Sequence, residues 1–156
     1  MTCVCVRAEV PLPVHRAFAH FWSLESLREG WPAITEVRLI YDDGVHQEAQ
    51  MLVERDGATE HIRVIRVRKG TDIEIFTPEP PPMMTWHRGA WRFRTAKEGS
   101  LIIAEREYDL LRREGEGEIA YLERESAFKD AFEARLGRIL ASVGRGGEPC
   151  GSSTSA

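Results

Sequence analysis

The chain has 156 residues, of which 42% are hydrophobic and 29% are charged, so it is long enough and apolar enough to fold around one sizeable core. Its 21 Lys and Arg residues against 25 Asp and Glu residues give a net charge of -4, which lacks the basic excess that phosphate backbones demand, and we expect no nucleic-acid partner. The sequence has no apolar run near the roughly 20 residues that cross a bilayer and no signal-peptide pattern, so we expect a cytoplasmic protein with no membrane partner.

The N-terminal segment predicts one strand followed by two short helices. Residues 3–10 alternate in character and end at Pro11 and Pro13, which is typical of a strand closed by a rigid turn. Apolar residues then recur at helical spacing over residues 14–22, and residues 24–28 predict a second short helix before Gly30.

After Pro32 the apolar period changes to two, which predicts consecutive antiparallel strands separated by turns rich in glycine or proline. The predicted strands cover residues 34–41, 45–54, 59–68, 72–77, 83–95 and 101–111. A helical pattern follows over residues 118–143, with Phe128 and Phe132 in its apolar stripe, and stops at Gly144. We therefore predict one domain over residues 1–144 and a flexible tail over residues 145–156.

Together these elements predict an α+β fold, in which a curved antiparallel sheet of about seven strands wraps around a long C-terminal helix, with two short helices after the first strand. A strongly bent sheet that grips one helix leaves space between them, and this gap is a natural apolar ligand pocket. The sequence contains no HExxH motif, tight His and carboxylate cluster or glycine-rich phosphate loop, so we expect no metal and no cofactor.

This order of elements, with Trp31-Pro32 after the short helices, resembles the helix-grip fold of the START and Bet v 1-like superfamily over residues 3–143. Within that superfamily the sequence most resembles the bacterial polyketide aromatase/cyclases. Four short segments carry the closer resemblance, namely Gly-Trp-Pro at 30–32, EHIRVIRV at 60–67, AWRFR at 90–94 and REYD at 106–109. The resemblance implies a catalytic arginine at Arg66, pointing into the cavity, and Trp91 in the cavity wall.

The orientation of Arg66 can also be considered from the sequence pattern alone, without the family resemblance, because alternate side chains of a strand share a face. Ile62, Val64 and Arg66 share one face of their strand, and parity alone leaves open whether that face is inside. A buried arginine needs a polar partner, ordered water or an oxygen-rich ligand. The alternative is that Arg66 reaches solvent at the rim of the sheet or pairs with a glutamate.

Two later strands supply candidate proton-transfer groups. His87 shares a face with Trp91 and Phe93, and an ordinary pKa of about 6.5 would let it take and return a proton near neutral pH. Arg106 and Tyr108 lie on the more apolar face of the last strand, where the phenol can donate a hydrogen bond to an enolate. The alternatives are a structural histidine at the rim, an ordinary strand tyrosine and an arginine paired with a neighbouring glutamate.

Further side chains are candidates for lining the pocket because of their position in the predicted elements. Arg124 would lie near the pocket mouth, one turn before Phe128, although a solvated charge explains it equally well. The other lining candidates, which ordinary core packing also explains, are Trp31, Ile34, Met51, Phe128 and Phe132. A basic rim for a carrier protein would use Arg88, Arg92 or Arg94, which are otherwise solvated strand residues.

The resemblance implies a cofactor-independent aromatase/cyclase that directs the aldol cyclisation and dehydration of a poly-β-ketone chain, presented by an acyl carrier protein. One alternative is a non-catalytic carrier that binds a lipid, a quinone or another hydrophobic metabolite in the same pocket. Another is an interaction module with no ligand. We expect a monomer or a homodimer.

Overall fold

A computed structural model describes residues 1–143 of the chain. The predicted flexible tail, residues 145–156, lies outside the described residues. The strands are β1 (Thr2–Val10), β2 (Ile34–Asp42), β3 (His46–Arg55), β4 (Ala58–Lys69), β5 (Asp72–Glu79), β6 (Met84–Ala96) and β7 (Gly99–Leu110). The helices are α1 (Val14–Trp22), α2 (Leu24–Gly30) and α3 (Glu118–Ser142).

All seven strands belong to one antiparallel sheet with the order β1-β7-β6-β5-β4-β3-β2. Consecutive strands from β2 to β7 are joined by hairpins, and the first strand closes the far edge by pairing with the last. In the β3–β4 turn, Asp56 and Gly57 take positive φ values of 51° and 77°. Asp-Gly favours a tight hairpin turn because both residues tolerate this conformation. The predicted α+β helix-grip architecture is confirmed.

Helix α3 buries one stripe of apolar side chains, as its periodicity predicts, and packs on β1 and β7. The buried residues of this stripe are Phe132, Leu136, Ile139 and Leu140. Helix α1 packs on β6, where Phe18 and Phe21 contact the ring of Phe93. Among residues 1–143, no helix is long and apolar enough to cross a membrane.

A row of cross-strand neighbours places polar groups on the inner face of the sheet, the face that the helices cover. Gln47 lies opposite Arg66, Arg66 opposite Ile75, Ile75 opposite Gly89, and Gly89 opposite Arg106. Both arginines are buried, with relative exposures of 2% and 6%. The missing side chain of Gly89 makes room for the long side chain of its neighbour.

Gly89 has little space for even one added carbon. A Cβ atom at this position would lie 2.5 Å from Cδ of Arg106 and 2.7 Å from the backbone carbonyl oxygen of Glu105. The second atom belongs to the backbone of β7, so the strand itself would have to move. The glycine therefore fixes how closely β6 and the Arg106 side chain approach each other.

We predict that Gly89→Ala lowers the free energy of unfolding by about 2 kcal/mol, because overpacking forces the backbone of β7 or the Arg106 side chain to shift. Urea denaturation followed by far-UV circular dichroism measures the change. Gly137→Ala in α3 is the matched control, since a Cβ there meets no atom of residues 1–143 within 4 Å, and it should raise stability by up to about 1 kcal/mol. Equal effects of the two substitutions would contradict the prediction.

Candidate ligand-binding site

A cavity lies between the inner face of the sheet and helices α2 and α3. Its unfilled space is ≈ 780 Å³, including the part that opens to solvent. The apolar wall consists of Leu27, Trp31, Met51, Ile62, Val64, Ile75, Pro81, Met84, Trp91, Phe132, Leu136 and Ile139. The polar groups at the cavity are Arg55, Arg66, Thr77, His87, Arg106 and Arg135. The site is therefore an apolar pocket with a small set of mostly cationic groups.

The guanidinium group of Arg66 is held by acceptors of the protein itself. Its Nε donates to Oε1 of Gln47 at 2.7 Å, its Nη1 donates to the carbonyl oxygen of Phe21 at 2.6 Å, and its Nη2 donates to the carbonyl oxygen of Trp22. The two carbonyl groups end helix α1 and have no partner within the helix. Arg66 thus satisfies the C-terminal end of α1 and the amide side chain of β3 at the same time.

Arg66 lies on the inner face of β4, as strand parity allows. Its hydrogen bonds go to the protein itself, whereas an arginine that binds substrate would keep its donors free. Burial lowers the pKa of Arg66 to about 10, which leaves the group charged at neutral pH. Three of its donor groups are occupied by protein oxygens. The Trp22 ring also packs against the guanidinium group, with its centroid 5.3 Å from Cζ of Arg66. This arrangement gives Arg66 a structural task that the resemblance does not imply.

Arg106 keeps donors free for a ligand. Its Nη1 donates to the carbonyl oxygens of Ala90 at 3.0 Å and Glu105 at 2.7 Å, and its Cζ lies 4.5 Å from the ring centroid of Trp91. Its Nε and Nη2 form no hydrogen bond within residues 1–143, yet neither is a fully buried orphan. These N–H groups therefore face the cavity. Burial lowers the pKa of Arg106 to about 9, so it stays charged.

Arg135 and Arg55 add two more guanidinium groups. Arg135 stacks over the rings of Trp31 at 4.6 Å and Phe132 at 4.3 Å, and within residues 1–143 it forms no hydrogen bond or ion pair. Arg55 lies 3.7 Å from a carboxylate oxygen of Glu60. Aromatic faces thus hold one of these cations, while an acid holds the other.

His87 sits where the backbone ladder between β5 and β6 has ended, since the last paired residues are Phe76 and Arg88. Its Nδ1 lies 2.7 Å from Oγ1 of Thr77, so side chains join the two strands at this point. Burial, together with the nearby charges of Arg106 and Arg135, lowers the pKa of His87 from 6.5 to about 3. In the free protein the imidazole is therefore neutral at pH 7, contrary to the ordinary pKa expected from the sequence.

Tyr108 and Phe128 were predicted at the cavity and lie behind its wall instead. Tyr108 is fully buried, with its ring centroid 5.3 Å from that of Phe128 and 5.5 Å from that of Phe132. Its hydroxyl group has no hydrogen-bond partner among residues 1–143, and burial raises its pKa to about 12. The strand face was predicted correctly, but α3 covers this end of β7 and separates the phenol from the cavity.

Three other predicted residues also lie outside the cavity. Ile34 is a core residue at the start of β2, and Phe93 packs against α1. Arg124 forms a two-point contact with Glu116, with Nε 2.7 Å from Oε1 and Nη2 2.8 Å from Oε2, and it fixes the loop before α3. The structure does bring together at the cavity Trp31, Met51, Ile62, Val64, Arg66, His87, Trp91, Arg106 and Phe132.

The strand arginines that were candidates for a basic rim are neutralised by acids. Arg88 pairs with Glu107, and Arg94 lies 2.6 Å from a carboxylate oxygen of Asp72. Arg92 contacts a second oxygen of Asp72 at 3.1 Å, besides Glu74 and Glu105. The outer face of β6 therefore presents a mixed ion-pair network in place of a basic patch.

Two polar residues of the cavity, Arg135 and Thr77, are absent from the predicted site although their spacing in the sequence indicates them. Arg135 follows Phe132 by three positions and so lies on the same helix face. Thr77 follows Ile73 and Ile75 at strand spacing, on the inner face of β5. The spacing places both residues on the inner faces of their elements, but a stripe defined by apolar side chains does not include them because they are polar.

We predict that Arg66→Met lowers the free energy of unfolding by about 3 kcal/mol or more, because the Phe21 carbonyl and the Gln47 amide oxygen lose their buried donor and the Trp22 carbonyl keeps only the bond from Nε2 of Gln47. Urea denaturation measures the loss. Arg38→Met, at an exposed site on the edge strand β2, is the matched control and should change stability by less than about 0.5 kcal/mol. A loss below about 1 kcal/mol in Arg66→Met would show that the cap is dispensable.

We predict that His87 makes the protein less stable as pH falls. Between pH 6.5 and pH 3 the unfolded chain binds a proton at this residue and the folded chain does not, so acidification favours unfolding. From pH 7.5 to pH 5 this residue should remove about 2 kcal/mol of the free energy of unfolding, and His87→Gln should abolish that part of the loss. Urea denaturation at both pH values, with His61→Gln at an exposed site as control, measures the difference. An unchanged slope in His87→Gln would contradict the pKa shift.

The fold resembles that of several solved structures. TTHA0849 from Thermus thermophilus matches with a TM-score of 0.72 at 17% identity, over 91% of this chain and 99% of that one. The Zhui aromatase/cyclase from Streptomyces sp. R1128 matches with a TM-score of 0.69 at 14% identity, over 94% of this chain and 98% of that one. The di-domain ARO/CYC StfQ of the steffimycin biosynthetic pathway matches with a TM-score of 0.70 at 20% identity, over 93% of this chain and 52% of that one.

No protein-family model and no curated protein sequence matches the chain. At identities of 14–20% the structural matches show the fold. A START superfamily protein from Mycobacterium smegmatis shares it too, with a TM-score of 0.60 at 14% identity, over 86% of this chain and 96% of that one. The chain therefore has the helix-grip fold that START proteins and aromatase/cyclases share, as its sequence pattern predicts.

Proposed function

We propose that this protein is a cofactor-independent cyclase that closes a ring in a poly-β-ketone chain by an aldol reaction followed by loss of water. The observation that carries the proposal is the guanidinium group of Arg106, which presents free N–H donors to an apolar cavity beside the imidazole of His87. A fold shared with proteins described as aromatase/cyclases supports the reaction class.

In the proposed reaction a methylene carbon between two carbonyl groups loses a proton to Nε2 of His87, in the tautomer whose Nδ1–H donates to Oγ1 of Thr77 and leaves Nε2 unprotonated. The resulting enolate carbon attacks a second carbonyl carbon of the same chain, and the new alkoxide takes the proton back. Arg106 stabilises the negative oxygen at both stages, since charged donors in an apolar site act strongly on developing charge. Loss of water then gives the unsaturated ring, and no oxidant is required.

The cavity contributes by holding a flexible chain in one bent conformation. Trp91 and Phe132 contribute rigid aromatic surface to the pocket wall, one from the sheet and one from α3. Confinement between such walls holds two distant carbons of one chain near each other, which lowers the entropic cost of bringing them together. Apolar walls also keep competing water away from the enolate.

A second candidate function is binding without catalysis, and the low pKa of His87 is the observation that favours it. A group with a pKa of about 3 is a weak base for a carbon acid at neutral pH. The catalytic proposal requires a bound enolate beside the imidazole to raise that pKa, because a negative charge stabilises imidazolium. A carrier of a hydrophobic metabolite needs the cavity and no such change.

The two functions are separated by incubating the protein with a minimal polyketide synthase that makes a carrier-bound poly-β-ketone, and analysing the products by chromatography and mass spectrometry. We expect one aromatic product to replace the shunt products, and Arg106→Gln to reduce its formation about 100-fold or more. Arg38→Gln removes the same charge at an exposed site and should leave the product profile as in the wild type.

An unchanged shunt profile with a folded wild-type protein would contradict the cyclase proposal and favour the carrier. Arg66→Met is a poor substitute for Arg106→Gln in this assay, because it removes the cap of α1. The presence of folded protein is checked by far-UV circular dichroism at the assay temperature.

A further inference from the structure

The charge of the cavity is unbalanced. Four of its lining residues are arginines, and no Asp or Glu is among the lining residues of the described chain, 1–143. Arg66 donates three hydrogen bonds to helix α1 and to Gln47, and Arg55 has a carboxylate oxygen of Glu60 at 3.7 Å. The remaining two, Arg106 and Arg135, form no ion pair within residues 1–143. Buried or half-buried cations without an anion are costly, so a ligand anion would relieve a cost that the empty cavity bears.

Arg106 and Arg135 are held in place by flat aromatic groups and by backbone oxygens. Trp91 supports the guanidinium group of Arg106 at 4.5 Å, while Trp31 and Phe132 support that of Arg135 at 4.6 and 4.3 Å. Stacking fixes the plane of a guanidinium group and leaves its edge, which carries the N–H donors, free for a planar acceptor. The two groups are thus pre-organised for ligand oxygens.

Both arginines act on the same part of the cavity. The His87 ring lies 6.2 Å from that of Phe132, over which Arg135 stacks, and Arg106 lies across the β6–β7 ladder at Gly89, two residues from His87. Both charges lie close enough to that imidazole to lower its pKa, in addition to the larger effect of burial. An anion at this point would contact cationic groups from two elements, β7 and α3.

We infer that the cavity binds the carboxylate of an apolar, aromatic or polyketone acid between Arg106 and Arg135. A carboxylate carries one charge on a planar group and matches the edge of a guanidinium in a two-point contact. A phosphate would bring up to two charges and a larger hydration shell into a pocket whose remaining wall is apolar, where desolvation costs more. The apolar body of the acid would then lie against Trp91, Phe132 and the aliphatic side chains.

This inference rests on the proposed function only in that both place a ligand in the same cavity. A chain joined to a carrier protein ends in a neutral thioester, whereas a released chain or its aromatic product ends in a carboxylate. The inference therefore assigns the cavity an affinity for the free acid, which the cyclase proposal does not require. The class of reaction that would supply such an acid is hydrolysis of a thioester.

The test is isothermal titration calorimetry of the purified protein at pH 7.5 with 2-naphthoate and with methyl 2-naphthoate, which share the apolar body and differ in charge. The acid should bind at least about 10-fold more tightly than the ester, as charge-assisted hydrogen bonds imply. A third probe, 2-naphthyl phosphate, should bind more weakly than the naphthoate.

Variants locate the site. Arg106→Gln and Arg135→Gln should each lower the acid-to-ester affinity ratio at least about threefold, because each removes one of the two charges that face the carboxylate, whereas Arg38→Gln keeps the wild-type ratio. Arg135 is half-buried and has no hydrogen bond to lose within residues 1–143, so its variant keeps the test open if Arg106→Gln fails to fold.

Equal or tighter binding of the ester, tighter binding of the phosphate, or no binding of the acid would each overturn the inference. Those results leave the product assay with the carrier-bound chain unaffected, so the two proposals fail separately. A preserved acid preference in both Gln variants would also overturn the inference, because the anion would then lie elsewhere.

Discussion

The arrangement of the cavity depends on one buried charge at the end of a helix. Helix α1 ends inside the protein at Trp22, where the carbonyl oxygen of Phe21 accepts from Arg66, and that of Trp22 accepts from Arg66 and from Nε2 of Gln47. A cation at a helix C-terminus also interacts favourably with the helix dipole. Because Arg66 belongs to β4 and Gln47 to β3, this one group fixes the helix, and with it the chain leading to α2, relative to the sheet.

The arginines of the cavity differ in the groups that hold them, and Arg55 lies beside the carboxylate of Glu60. Arg66 donates to three oxygens of the protein and serves the fold, whereas Arg106 is held by Trp91 and two backbone oxygens, Arg135 is held by aromatic faces, and both keep donors for a ligand. Aromatic support orients a guanidinium group without neutralising it. A site built this way has a strong positive field while its walls stay apolar, which suits ligands that combine a hydrocarbon body with oxygen atoms.

The sequence predicted the sheet, the helices and the inner faces of the strands because these depend on local periodicity. The inner face of β4 is an example, where Ile62, Val64 and Arg66 are all buried as parity allows. Periodicity does not show which residues of an inner face line the cavity and which are covered by a helix. Tyr108 lies on the inner face of β7, two residues from Arg106, yet α3 crosses above it and excludes it from the cavity.

The partners of Arg66 illustrate a second limit of sequence reasoning. Two of its three acceptors are backbone oxygens of α1, 44 and 45 residues away in the chain, and no side-chain pattern marks a backbone acceptor. The shifted pKa of His87 has the same origin, since it reflects burial and the charges of Arg106 and Arg135 from other elements. Such properties belong to the assembled packing and are absent from any single segment.

The close approach of Gly89 and Arg106 also has an evolutionary consequence. A side chain at position 89 would meet the backbone oxygen of Glu105 as well as the Arg106 side chain, so a shorter residue at 106 would not by itself make room for it. Proteins descended from a common ancestor with this one should therefore keep glycine at 89 wherever the two strands keep this spacing, whatever residue stands at 106. The charge of the pocket can thus change in evolution at position 106 while the neighbouring strand keeps its glycine.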